Sequence, residues 1–214
     1  MPNILLETQY FPPIEYFSQF INADKLTLEA CEHYQKGSYR NRCCIATSLG
    51  IQVLSVPLKK GKNSKMLIRD VAIAYDMDWQ KQHWQSIRTA YGSAPFWEHY
   101  SPVLEQFFIK KTTFLFYLNT SILEAFFKIL KLNNRVNVTF SNTYEINADT
   151  PDISGQVEGV DFRNKISPKS THFTTKKYAQ VFEDRNGFLP NLSILDAVLC
   201  CGPQTKSVLQ STPL

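Results

Sequence analysis

The sequence predicts an α+β fold, a single domain in which a mixed or antiparallel sheet is covered by helices. Three observations carry that expectation. Strand-like patterns cluster before residue 76 and helical ones between 78 and 132, and such segregation marks α+β layering. A chain of 214 residues with 43% hydrophobic and 20% charged side chains can bury a substantial core in one unit. Fifteen Phe and ten Tyr supply rings for a core or for a ring-lined cleft.

In chain order, Asn3 to Gln9 opens with the apolar run NILL, which suits a buried strand, and Pro12-Pro13 ends it. Ile14, Phe17, Phe20 and Ile21 recur at helical spacing and predict a short helix over 13–22. Alternation in KLTLEA, Lys25 to Ala30, reads as a second strand. Cys43 to Ser48 and Ile51 to Val56 flank Leu49-Gly50 and form a hairpin pattern, closed by Pro57. Met66 to Tyr75 alternates nearly enough to predict a further strand.

Asp78 is a suitable cap for a helix over Trp79 to Tyr91, with Trp79, His83, Trp84, Ile87 and Tyr91 on one face. Two more helices follow at Trp97 to Lys111 and Phe114 to Leu132, then a strand at Val136 to Phe140. Residues 141–175 lose hydrophobic density and read as a long loop. Tyr178 to Glu183 reads as a strand or short turn, and Ser193 begins a last helix to about Cys201.

Several classes of protein are excluded. A net charge of +4 and a pI near 8.7 are too mild for a general nucleic-acid binder. The most apolar region, Phe114 to Leu132, holds Asn119, Thr120, Ser121, Glu124 and Lys128, so no transmembrane segment is expected. The start, MPNILLETQYFPP, has no basic region ahead of an apolar run, and a cytoplasmic location is expected. Five cysteines without Cys-x-x-Cys or Cys/His metal spacing predict free thiols and no metal. Dinucleotide, phosphate-loop, Gly-x-Ser-x-Gly and His-Glu-x-x-His signatures are missing, so no cofactor is expected.

The chemistry concentrates between Tyr34 and Arg69. From Lys36 to Arg69 there are eight basic residues and no Asp or Glu, so the positive potential is local. If Arg40, Asn41 and Arg42 enter a strand, Arg40 and Arg42 share one face, and two guanidinium forks there suit a phosphate or carboxylate. A solvated basic edge strand is the competing explanation. Lys36 and Tyr34 precede the triplet, and Trp84 and Tyr91 offer rings to a sugar or base. His83 is either a hydrogen-bonded core residue or a general base. Asp196, in a first helical turn, could orient that base, although helix-dipole complementarity alone favours an acid there. Cys43 or Cys44 as a nucleophile activated by His83 or the arginines competes with both being core filler.

These motifs together resemble the WbqC-like family. The likeness lies in Gln9-Tyr10-Phe11-Pro12 with Tyr16-Phe17, in Tyr34-Gln35-Lys36 and Arg40-Asn41-Arg42, and in Leu54 to Pro57. It continues in Trp79, His83-Trp84 and Tyr91, in Ala94 to Phe96, in Tyr178, Gln180 and Phe182, and in Leu192 to Pro203. Relatives carry an acid immediately ahead of the tyrosine motif and an asparagine after the arginine triplet. Here Cys31 and Cys43 stand nearby, so roles of those positions do not carry over.

The resemblance implies a setting in bacterial surface-polysaccharide (O-antigen) biosynthesis and an anionic small-molecule partner such as a sugar nucleotide. It adds Gln9 to the substrate-binding set of Tyr34, Lys36, Arg40, Asn41, Arg42, Trp84 and Tyr91, with His83 and Asp196 as catalytic candidates. A transferase acting on a phosphorylated or activated sugar precursor fits; so does a non-enzymatic binding or accessory protein.

Overall fold

A computed structural model describes residues 3–61, 63–144, 159–169 and 173–210. The first strand, β1 (Asn3–Glu7), is followed by helix α1 (Ile14–Phe20) and strand β2 (Lys25–Glu29). Because α1 carries the chain back across the layer, β2 runs parallel to β1 and not antiparallel to it, with Ile4 opposite Leu26 and Glu7 opposite Glu29. Two strands from far along the chain, β5 (Asn137–Phe140) and β6 (Gly159–Asp161), complete a four-stranded parallel sheet of order β5-β2-β1-β6. A separate antiparallel hairpin joins β3 (Arg42–Thr47) to β4 (Gly50–Ser55), with Gly50 at φ +103° closing the turn. The α+β class holds, and its sheet divides into these two.

Three helices fill the long connection from the hairpin to β5: α2 (Trp79–Tyr91), α3 (Trp97–Ile109) and α4 (Leu115–Ile129). After β6 come a single turn α5 (Glu183–Asn186), then α6 (Ile194–Cys201) and α7 (Thr205–Gln210). Among the described residues, no helix is long and apolar enough to cross a membrane. Ile4, Leu6, Leu26 and Leu28 of the central strands are buried, and α1 lays Phe17 and Phe20 against Phe126 and Phe127 of α4. Phe11 is fully buried at φ +40°, a conformation a bulky residue adopts only when its surroundings impose it. The imposition is visible: its ring packs against Phe107, Phe108 and Phe126 while its carbonyl accepts the Ser193 hydroxyl.

Two expected elements differ. Met66 to Tyr75 is not a strand; it holds a 3-10 turn at Ile68–Asp70, and Leu67, Ala72 and Ile73 each bridge a different segment, so no continuous ladder forms. Of the loop expected over 141–175, residues 145–158 and 170–172 lie outside the described residues. The remainder supplies the edge strand β6 and buries Arg163 and Ile166.

Candidate functional site

Three strands end in an acid. Glu7 closes β1, Glu29 closes β2 and Asp161 closes β6, and because the strands are parallel all three emerge at one edge, where ligands bind in open parallel sheets. Glu7 and Glu29 are direct register partners, about 4.8 Å apart across the sheet, and both are buried. Like charges that close require cations. Arg163 supplies one, giving Nη1 to Glu29 Oε2 at 2.6 Å and Nη2 to Asp161 Oδ2 at 2.6 Å. Its hydrogen bonds hold the Asp161 carboxyl below its ordinary range against the opposing effect of burial.

Arg40 supplies the other. It gives Nε to Glu32 Oε1 at 2.8 Å and Nη2 to Glu32 Oε2 and, at 2.9 Å, to Asn164 Oδ1; Nη1 lies 3.9 Å from Glu7 Oε1. Asn164, at φ +61°, returns its main-chain N–H to Glu7 Oε2 at 3.0 Å. Gln9 gives Nε2 to Glu7 Oε1 at 2.8 Å, while its own Oε1 is buried without a partner. Burial raises the Glu32 carboxyl; Arg40 opposes that, and the repulsion of Glu7 and Glu29 adds to it. The guanidiniums lie among the carboxylates, and among the described residues no group of three His, Cys, Asp or Glu side chains is placed to hold a metal ion.

The expected pairing of Arg40 with Arg42 on one strand face is corrected. Tyr39–Asn41 is a 3-10 turn, and the strand starts only at Arg42. At three residues per turn, side chains two apart diverge by about 120°. Arg40 therefore points inward, at 1% exposure, into acids brought by β1 and by the segment after β2, and is not in the acid-free setting its sequence neighbours suggest. Arg42 is half-buried, and its Nε is enclosed without a partner. Asn41 locks the turn, giving Nδ2 to the Val56 carbonyl and accepting the Tyr34 hydroxyl at 3.0 Å. Lys36 is exposed.

The aromatic face of α2 lies elsewhere. His83 is packed between Tyr10 and Trp79, with Nδ1 3.0 Å from the Tyr10 hydroxyl and a further hydrogen bond to the Ser55 main chain; burial lowers its pKa to about 4. Trp84 stacks on Trp97 and Phe108. Tyr91 accepts the Ala46 N–H and donates to Asp196 Oδ1 at 2.9 Å. Asp196 is fully buried and also receives the Tyr178 hydroxyl at 2.6 Å and the Gln180 amide at 3.0 Å; burial raises its carboxyl against those three donors. Among the described residues, no hydrogen bond or ion pair joins His83 or Asp196 to Arg40 or Arg42, or to each other. Both adjacent thiols stay protonated: burial raises Cys43 far above its ordinary value, and in Cys44 it outweighs Arg42.

Sequence reasoning brought Gln9, Tyr34, Arg40, Asn41 and Arg42 to one neighbourhood and missed Glu7, Glu29, Glu32, Asp161 and Arg163. A signal for three of these existed. NILLE, KLTLE and GVD each end an apolar strand with an acid, which becomes meaningful once the strands are known to be parallel.

The chain matches the model of the WbqC-like protein family over residues 8–158. It is 26% identical to Rv1507c, an uncharacterized protein of Mycobacterium tuberculosis, over an alignment of 223 positions that covers 96% of each chain. No solved structure matches it. The family match spans more than half of the chain and takes in Gln9, Glu29, Glu32 and the Arg40 to Arg42 turn, and on that basis this protein belongs to the WbqC-like protein family.

Proposed function

We propose that the protein binds a phosphorylated or nucleotide-activated sugar precursor of bacterial surface polysaccharide, with Arg42 as its phosphate contact. The observation that carries this reading is the half-buried Arg42 guanidinium whose Nε no protein group satisfies. A buried donor of that kind wants an acceptor, and an anionic oxygen is the strongest one available. Lys36 and Tyr34 stand on the same segment, and Arg40, which is buried against Glu7 and Glu32, is two residues away along the chain. In this reading His83, Trp84, Tyr91 and Asp196 are framework, holding α2 and α6 against the hairpin and the Tyr10 loop. Calorimetric titration with glucose 1-phosphate tests it. Arg42→Ala should weaken binding by about 1.5–3 kcal/mol, roughly 10- to 150-fold, and an unchanged affinity removes Arg42 from the site.

Transfer chemistry on that ligand is a second reading, favoured by Glu32. Burial raises the Glu32 carboxyl above its ordinary range, and an acid shifted in that direction beside a second carboxylate is the kind of group that serves in proton transfer. Glu32→Gln keeps the shape and the Arg40 contact through one oxygen. Loss of turnover with retained glucose 1-phosphate binding would favour a transferase; an accessory protein would show neither turnover nor a change.

A further inference from the structure

We propose that Glu7, Glu32 and Gln9 receive a primary ammonium group, which makes the bound precursor an amino sugar. The inference deepens the reading of the ligand as a phosphorylated sugar and rests on it. Glu7 is 0% and Glu32 3% exposed, and Arg40 is the guanidinium that reaches both. It spends its two closest contacts on Glu32 and a third on Asn164, and stays 3.9 Å from Glu7, beyond hydrogen-bonding distance. Two buried carboxylates thus share one cation; Glu7 meets it only at long range and takes its hydrogen bonds from the neutral Gln9 amide and the Asn164 N–H.

Gln9 points to what completes the arrangement. The residue is 2% exposed, its Nε2 is 2.8 Å from Glu7 Oε1, and its Oε1 has no partner. An amide oxygen lies roughly 2.2 Å from its own nitrogen, so this orphaned acceptor lies within about 5 Å of the same carboxylate oxygen. Among the described side-chain atoms of this cluster, the unsatisfied one is therefore an acceptor, in a field that is already negative. A phosphate or carboxylate ligand would be repelled, and a sugar hydroxyl brings one donor and no charge. An ammonium group brings three donors and the missing positive charge, enough for Glu7, Glu32 and the Gln9 oxygen together. Burial is the main cause of the raised Glu32 carboxyl, and the repulsion of Glu7 and Glu29 that adds to it is what a bound cation relieves. The cluster meets the surface at Asn164, which is exposed, and at Asp161, whose side chain is 16% exposed.

Four probes separate this proposal from the anion reading: glucose, glucosamine, glucose 1-phosphate and glucosamine 1-phosphate, each titrated calorimetrically into the full chain at pH 7. Glucosamine 1-phosphate should bind about tenfold or more tighter than glucose 1-phosphate, as a charge-assisted hydrogen bond predicts. Gln9→Met should bring that ratio toward one; if this variant does not melt cooperatively, the wild-type ratio alone decides. Equal affinities for the two phosphates, as an ordered water on Gln9 would give, overturn the ammonium site and leave the anion reading standing. If glucosamine binds and the phosphates add nothing, the anion reading falls and the ammonium site stands. Absence of binding by all four overturns both.

Discussion

Removing the Arg40 guanidinium by Arg40→Met should destabilise the protein severely, and the structure says by how much and at which pH. Methionine fills most of the volume, so the loss is electrostatic. Glu32 loses a two-point partner, Asn164 loses a donor, and Glu7 loses its distant cation. Breaking a buried pair by deleting one partner costs about 3–5 kcal/mol because the other charge stays buried. For a chain of this size that lowers Tm by roughly 6–20 °C. Burial already raises the folded-state Glu32 carboxyl and Arg40 opposes that, so without Arg40 it rises further above the unfolded value of about 4.3. Native protein then binds more protons than unfolded protein, so the deficit is small below that value and grows as pH climbs through the raised pKa. Urea denaturation at pH 4.5 and pH 7 measures both quantities. Arg40→Met with Glu32→Met should recover much of the loss, since a buried pair replaced whole is often neutral. A loss under about 1 kcal/mol at pH 7, or a deficit that does not shrink toward pH 4.5, would refute the reasoning.

Two further outcomes concern the aromatic side of the molecule. His83 has a folded pKa of about 4 against an unfolded value near 6.5, so the unfolded state takes up the proton first. Stability should fall by about 2 kcal/mol between pH 7 and pH 5, and His83→Gln should flatten that slope; an unaltered slope in urea midpoints would place the titration elsewhere. Asp196→Ala strands Tyr91, Tyr178 and Gln180 and should cost about 3 kcal/mol or more, with glucose 1-phosphate affinity preserved in the folded fraction. A stable Asp196→Ala that no longer binds would move Asp196 into the ligand site.

What the sequence disclosed follows from the range of each signal. Helix α2 was legible because five ring and apolar positions recur at 3.6-residue spacing, and its expected limits, Trp79 and Tyr91, are the observed ones. The hairpin was legible because Gly50 marks its turn. These signals are local. Whether β1 and β2 pair parallel is decided by where α1 carries the chain, and β6 is three residues long, too short for alternation to register. Arg40 was misread for a related reason: the acids that neutralise it stand 8 and 33 positions earlier in sequence, so a window counting charges between Lys36 and Arg69 sees none of them. Gln9 entered through likeness to a family and found a physical partner in Glu7.

The seam between Phe11 and Ser193 has a bearing on how the chain is made. Ser193 donates its hydroxyl to Phe11 across 182 positions, Ile14 N–H reaches the Leu192 carbonyl, and Ile194 N–H reaches the Pro12 carbonyl. The loop that carries Gln9 and buries Phe11 is thus held by a segment synthesised 182 positions later. On a ribosome adding about 5–20 residues per second, that loop waits on the order of 10–40 s for its support. During that interval Phe11, Phe17 and Phe20 have only part of their packing, and contacts so distant in sequence are slow to close. A nascent chain stalled before residue 190 should bind chaperones that the released protein ignores.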